Sequence, residues 1–135
     1  MPIIRTAEPG DAVALARIAE LTFRDTFGGV NTADDMNIHC SSNYGEAIQA
    51  AEIADPKMLT LISEHEGHIA GFAQLRWKGA PSCVPAQFPI EIQRLYVTAD
   101  WHGKGVAQHL MRACLDEALH RGSDAIWLGV WERNP

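Results

Sequence analysis

The run His102-Gly103-Lys104-Gly105-Val106-Ala107 is the stretch whose residue types and spacing suit chemistry. It sets two glycines, a cation and a titratable imidazole just ahead of a segment with helical periodicity. The first turn of a helix has backbone N–H groups with no partner inside the helix, and the helix dipole adds positive charge there. Both favour a phosphate. Gly103 and Gly105 permit unusual dihedrals and let an anion approach the backbone without a Cβ in the way. Two phosphate motifs are excluded by spacing. A Walker A loop needs Gly-Lys followed by Ser or Thr, but Gly103-Lys104 is followed by Gly105, and the dinucleotide fingerprint needs a third glycine where Gln108 stands. Taken alone, the loop reads equally well as a tight strand-to-helix connection.

A strand and a helix must position this loop. Ile90 to Val97 is rich in β-branched and aromatic residues and runs into the polar Thr98-Ala99-Asp100. After Gly105, the residues Val106, Leu110, Met111, Cys114, Leu115, Ala118 and Leu119 recur at three and four, which predicts a helix closed by Arg121 and Gly122. Upstream, Ile3 to Thr6 reads as a strand. Glu8-Pro9-Gly10-Asp11 reads as a turn into a helix over about Ala12 to Phe23, with Val13, Ala16, Ala19 and Phe23 on its apolar face. Thr32 to Asp55 reads as one or two helices, jointed at Ser41, Ser42, Asn43 and Gly45. Met58 to Ser63 and Ile69 to Trp77 make a hairpin about Glu66-Gly67; Lys78 to Gln87 is a loop; Ala125 to Val130 is a last strand. This order predicts an α/β or α+β sandwich in one domain over residues 1–135.

The block from Glu91 to Gly122, continued by Trp131-Glu132-Arg133-Asn134, resembles the GNAT superfamily of acyl-CoA N-acyltransferases. That signature is Gln or Arg, two residues, Gly, one residue, then Gly or Ala. Gly105 and Ala107 fit it, while His102 replaces the usual Gln or Arg. The runs EIQRLYV and LGVWERN look closest to the bacterial branch that includes polyamine acetyltransferases. The resemblance implies a mixed, mostly antiparallel sheet flanked by helices, with acetyl-CoA as cosubstrate and no metal. It places the CoA pyrophosphate on the backbone from His102 and Gly103 through Lys104, Gly105, Val106 and Ala107 to Gln108, with Lys104 adding charge. The pantetheine arm would pair beside Leu95, Tyr96 and Val97 like an added strand, through backbone groups of Leu95 and Val97, and Asn134 matches a cofactor-contacting asparagine. A backbone N–H near Val97 would stabilise the thioester oxygen. Proteins resembling this one continue past the residue matching Asn134 into a helix, which carries a tyrosine acid, and two more strands. The chain stops at Pro135, so the expectation is a C-terminally truncated member. A second reading is a CoA-binding or interaction module with little turnover.

Acetyl transfer needs a neutral amine. With a lysine-like pKa near 10.4, only about one amine in a few thousand is neutral at pH 7, so a base is useful. Glu91 matches a catalytic glutamate of several family members; the plainer alternative is an exposed strand end or an ion pair with Arg94. By strand alternation Tyr96 faces away from Glu91, unless a bulge intervenes. His102 could titrate near neutrality, although a loop histidine is more often simply solvated. His109 and His120 fall on the polar side of the helix, and His65 and His68 flank the hairpin turn without further metal ligands. The span Asp25 to Pro56 holds Asp25, Asp34, Asp35, Glu46, Glu52 and Asp55 with no Lys or Arg, a charge of −6 equal to that of the whole chain. In the family it resembles, the matching helices wall the acceptor-amine site, so such a field could steer a polyamine or another polycationic small-molecule amine; a solvated helical surface is the equally good plain reading.

Composition narrows the remaining classes. At 135 residues and 47% hydrophobic content, the chain can bury a sizeable core. No apolar run reaches the roughly 18 residues of a membrane helix, and MPIIRTAEPGD has no signal core, so the expectation is a cytoplasmic protein with no membrane partner. The net charge of −6 argues against nucleic-acid binding. Cys40, Cys83 and Cys114 are scattered, which suits neither a disulfide framework nor a zinc site. Oligomeric state is left open, a homodimer included.

Overall fold

The computed structural model describes residues 2–77 and 88–128. Strands β1 (Ile3–Thr6), β2 (Met58–His65), β3 (His68–Arg76), β4 (Pro89–Val97) and β5 (Ala125–Leu128) form one sheet in that order. The first three pairings are antiparallel and β4–β5 is parallel. A parallel pair requires a crossover, here made by α4 (Val106–His120). Helices α1 (Ala12–Phe27), α2 (Ala33–Asn43) and α3 (Glu46–Ala54) lie between β1 and β2 in sequence. The expected mixed, mostly antiparallel sheet flanked by helices is therefore the observed fold. The expected loop from Lys78 to Gln87, together with Cys83, Val130 and the segment from Trp131 to Asn134, lies outside the described residues.

Local signals set several boundaries. The β2–β3 hairpin turns at Glu66 and Gly67, both at positive φ (50° and 81°), which matches the twist of the flanking strands. Thr32 caps α2 by accepting the Asp35 N–H at 3.1 Å. Gly122, at φ 76°, ends α4; its N–H bonds Leu119 O and the Ser123 N–H bonds Ala118 O, satisfying carbonyls of the last turn.

Two apolar layers hold the sheet. On one face Val106, Leu110, Cys114 and Ala118 of α4 pack against Ala73, Leu75, Ile90 and Ile92. On the other, Leu15, Ala19, Phe23 and Phe27 of α1 and Met36 and Cys40 of α2 pack against Phe72 and Tyr96. Two expected helix faces need correction. Val13 is 41% exposed, and the buried row of α1 is Ala12, Leu15, Ala16, Ala19, Thr22, Phe23 and Phe27. Leu115 and Leu119 are 46% and 75% exposed, beside the buried row of α4. Three-four spacing admits neighbouring stripes, and the sheet beneath selects one of them.

The strand alternation also needs correction, because β4 changes phase at Gln93. Leu75 pairs with Ile92 and Gln74 with Arg94, which leaves Gln93 as the extra residue of a bulge. Ile90 and Ile92 before it, and Leu95 and Val97 after it, all pack toward α4. Glu91, opposite Arg76, and Tyr96, opposite Phe72, consequently share the other face.

Candidate active site

The connection from β4 to α4 bends through a 3₁₀ turn at Ala99–Trp101 and then through Gly103 and Gly105, at φ 74° and 83°. A side chain at either glycine would have to adopt the left-handed region, which explains the residue choice. The first α4 amide to reach back into this turn is that of His109, which bonds Gly105 O at 3.0 Å. The amides of Val106, Ala107 and Gln108 precede it and, by helix geometry, lack an acceptor four residues back. Beside them lies a concavity of about 330 Å³ lined by Val97, Trp101, Gly103, Gly105, Ala107 and Gln108, with His102 and Val106 completing its wall. The Lys104 ammonium sits 5.1 Å from the centre of the Trp101 ring, so the loop holds its cation against an aromatic face. His102 Nε2 lies 2.8 Å from Val97 O. A carbonyl only accepts, so Nε2 carries the proton in that bond.

Beyond the bulge the adjoining edge of β4 has no partner among the described residues. Pairing with β5 runs from Pro89 to Ile92, and Leu95, Tyr96 and Val97 have no β5 partner among the described residues. Their side chains are half-buried, Leu95 and Val97 toward α4 and Tyr96 tilted 5.8 Å from Phe72. Burial raises the Tyr96 phenol above its ordinary value, with the Arg94 charge opposing. The structure thus gathers Val97, His102, Gly103 and Gly105 to Gln108 about one concavity, while Leu95 packs toward α4 and Lys104 lies over Trp101, both outside its lining. Glu91 sits in the paired first half of β4. Asn134 lies outside the described residues.

Glu91 is buried and ion-paired, but not with Arg94. Its Oε1 accepts from Arg76 Nε at 3.0 Å and from a terminal Arg76 nitrogen at 2.7 Å, across the β3–β4 register. Arg94 points instead into the helical side. One of its terminal nitrogens donates to both oxygens of Glu52 (3.0 and 2.9 Å) and to Gln74 Oε1 at 2.6 Å. Gln74 Nε2 and Gln49 Nε2 also donate to Glu52 Oε1, each at 3.0 Å, and Gln49 binds Asn43 O and the Gly45 N–H at the α2–α3 joint. This network ties the helical wall to the strand at the bulge. Sequence reasoning missed it, although a signal existed: Gln74 interrupts the apolar run of β3, and Arg94 stands where the alternation of Ile90 and Ile92 calls for an apolar residue. The bulge was legible too, since the apolar positions of β4 switch from Ile90 and Ile92 to Leu95 and Val97 across two successive polar residues.

The other described histidines and cysteines do not line the concavity. His65 and His68 flank the hairpin turn as expected, and the His65 ring meets Trp101 edge-on at 5.1 Å. His120 is exposed, whereas His109 is half-buried, with Nδ1 shielded and unpartnered among the described residues, which corrects its expected surface placement. Cys40 and Cys114 are buried free thiols. Burial pushes Cys114 up to about 11, against thiolate chemistry.

Residues 15–135 match the acetyltransferase (GNAT) family. The chain belongs to that family. An uncharacterized N-acetyltransferase of Mycobacterium tuberculosis is 30% identical over 124 residues, which span 92% of this chain and 75% of the relative. An uncharacterized N-acetyltransferase of Lactobacillus delbrueckii subsp. lactis is 27% identical over 132 residues, covering 98% of this chain and 76% of that protein. Among solved structures, a PaiA N-acetyltransferase from Thermoplasma acidophilum in complex with coenzyme A shares the fold, with TM-score 0.84 and 18% identity over 99% of this chain and 82% of that one. A GCN5-related N-acetyltransferase from Rhodopseudomonas palustris aligns with TM-score 0.76 and 26% identity over 98% and 75% of the two chains. This GNAT chain is thus an acetyltransferase by family. Among its described residues no helix is long and apolar enough to cross a membrane.

Proposed function

We propose that this GNAT protein transfers an acetyl group from acetyl-CoA to a primary amine of a cationic small molecule, the polyamine class first. The observation that carries the cofactor half is the Trp101–Gln108 turn: two positive-φ glycines and the amides opening α4 stand at the end of a strand whose far half has no β5 partner among the described residues. In this reading the amides from Gly103 to Gln108 hold the pyrophosphate, Lys104 adds a cation, and backbone groups of Leu95 and Val97 pair with the pantetheine arm. Asn134 is proposed as a further contact.

The chemistry is addition of a neutral amine nitrogen to the thioester carbonyl, followed by loss of the thiolate. A backbone N–H near Val97 meets the developing oxyanion. The amine proton must leave, and Glu91 is the proposed acceptor, acting through water while Arg76 holds its Oε1. Glu91→Gln is then expected to lower kcat more than it raises KM; an unchanged kcat would remove Glu91 from the reaction.

The acidic span supports a cationic acceptor, although Glu52 is spent internally on Arg94. Asp34 and Asp35 lie in the first turn of α2, where they also suit the helix dipole. Replacing both with Asn should raise KM for spermidine and leave KM for acetyl-CoA alone; equal values for spermidine would remove the steering role.

The primary test is calorimetric titration with acetyl-CoA beside ATP and NAD, followed by thiol release on spermidine and small amines. Selective binding with amine-dependent release supports the reading. Binding without release would overturn its catalytic half, and absence of binding would overturn all of it.

A further inference from the structure

His102 couples two parts of the loop in a way that does not depend on its charge. Its Nε2–H is committed to Val97 O at 2.8 Å, where the strand ends, while the residue itself lines the concavity at the α4 N-terminus. Nδ1 is therefore the ring nitrogen left to respond to a ligand. In the neutral ring Nδ1 is an acceptor and offers a lone pair, which repels a phosphate oxygen. Protonation turns it into a donor and adds a unit charge, with the Val97 bond intact.

We propose that His102 makes anion binding in this concavity proton-linked, so that the affinity for a pyrophosphate-bearing ligand rises as pH falls. The inference rests on the reading that the concavity takes CoA, and it adds what this chain's own histidine does there. The charged and titratable groups around the ring are few. Asp100 precedes it on the 3₁₀ turn; Lys104 follows it and lies over Trp101; His65, itself 3.8 Å from Glu66, meets Trp101 from the β2 side; the first turn of α4 carries no acidic residue, and His109, with its Nδ1 shielded, is the titratable group that α4 adds there. Of the histidines near this loop, His102 is the one that lines the concavity, so the pH response is assigned to it.

The test is calorimetric titration of CoA into the full chain at about pH 6 and about pH 8, on either side of an imidazole's ordinary range. It uses two buffers of different ionisation enthalpy and compares the native protein with His102→Gln and His102→Arg. The ligand's own phosphate titrates identically in all three. Relative to His102→Gln, the native protein should bind about fourfold more tightly at the lower pH, the effect of one charge roughly 5 Å away at the dielectric of water. Its binding heat should depend on the buffer, reporting proton uptake, and His102→Arg should be tight at both pH values. Equal pH slopes in the native protein and either variant would overturn the proton linkage while leaving the CoA site standing. Failure of the native protein to bind CoA would overturn the site and this inference together.

Discussion

The two faces of the sheet solve the same packing problem in different ways. Under α4 the core is dry: Leu110, Cys114, Leu75 and Ile92 meet without a buried ion pair. Under α1–α3 the core begins with Phe23, Phe27 and Phe72 but gives way at the bulge to Arg94, Glu52, Gln74, Gln49 and Thr60, nearly all shielded from solvent. Arg94 also lies 5.3 Å from the centre of the Tyr44 ring. The dry face gains stability from area removed from water and is indifferent to which apolar neighbour provides it. The polar face spends desolvation energy on directional bonds that fix how α3 and the α2–α3 joint sit against β4. One face supports the loop that opens α4; the other shapes the helical wall beside Glu91 and Tyr96.

Substitutions can break this contrast at three levels. The largest effect is expected at Arg94. Arg94→Met leaves Glu52 buried without its cation and should cost about 4 kcal/mol in urea unfolding, whereas Arg94→Met with Glu52→Leu should recover most of that loss. A single-variant loss below about 1 kcal/mol would mean that Glu52 reaches solvent and the face is not polar in its interior. On the dry face, Leu110→Ala removes a fully buried side chain and should cost about 3 kcal/mol, with no second substitution able to rescue it by charge removal. Rescue by pairing is thus the property that separates the faces.

The smallest effect is in pH dependence. His39 stacks on Phe23 at 3.9 Å, and burial first, then the Arg94 charge, holds its imidazole below the ordinary value. Between that depressed value and about 6.5 the unfolded chain binds more protons than the folded one. The contribution is therefore complete above about pH 6.5 and is lost as pH falls. His39→Phe should flatten the fall in stability between about pH 7 and pH 5, measured by urea midpoints, and Leu110→Ala should leave that slope unchanged. An unaltered slope in His39→Phe would assign the pH response elsewhere.

Much of the molecule was already written in short stretches of the sequence. The β1 limits, the Glu66-Gly67 turn, the Gly122 stop and the paired glycines ahead of Val106 follow from backbone preferences of one or two residues, which act whatever lies around them. Family membership was legible for the same reason, since the loop and its flanking elements are contiguous.

What only the tertiary structure decided are the choices between near-equal local options. Val13 against Leu15, and Leu115 against Cys114, fit the same helical spacing, and the sheet selected the buried row. Arg94 stands only three residues from Glu91 on the strand, yet the bulge and the packing of α3 gave it Glu52 and left Glu91 to Arg76. Local sequence sets the dihedrals of this chain through short-range sterics. The partners of its charges are set by which distant segments meet, because a buried charge takes the opposite charge that folding brings within reach.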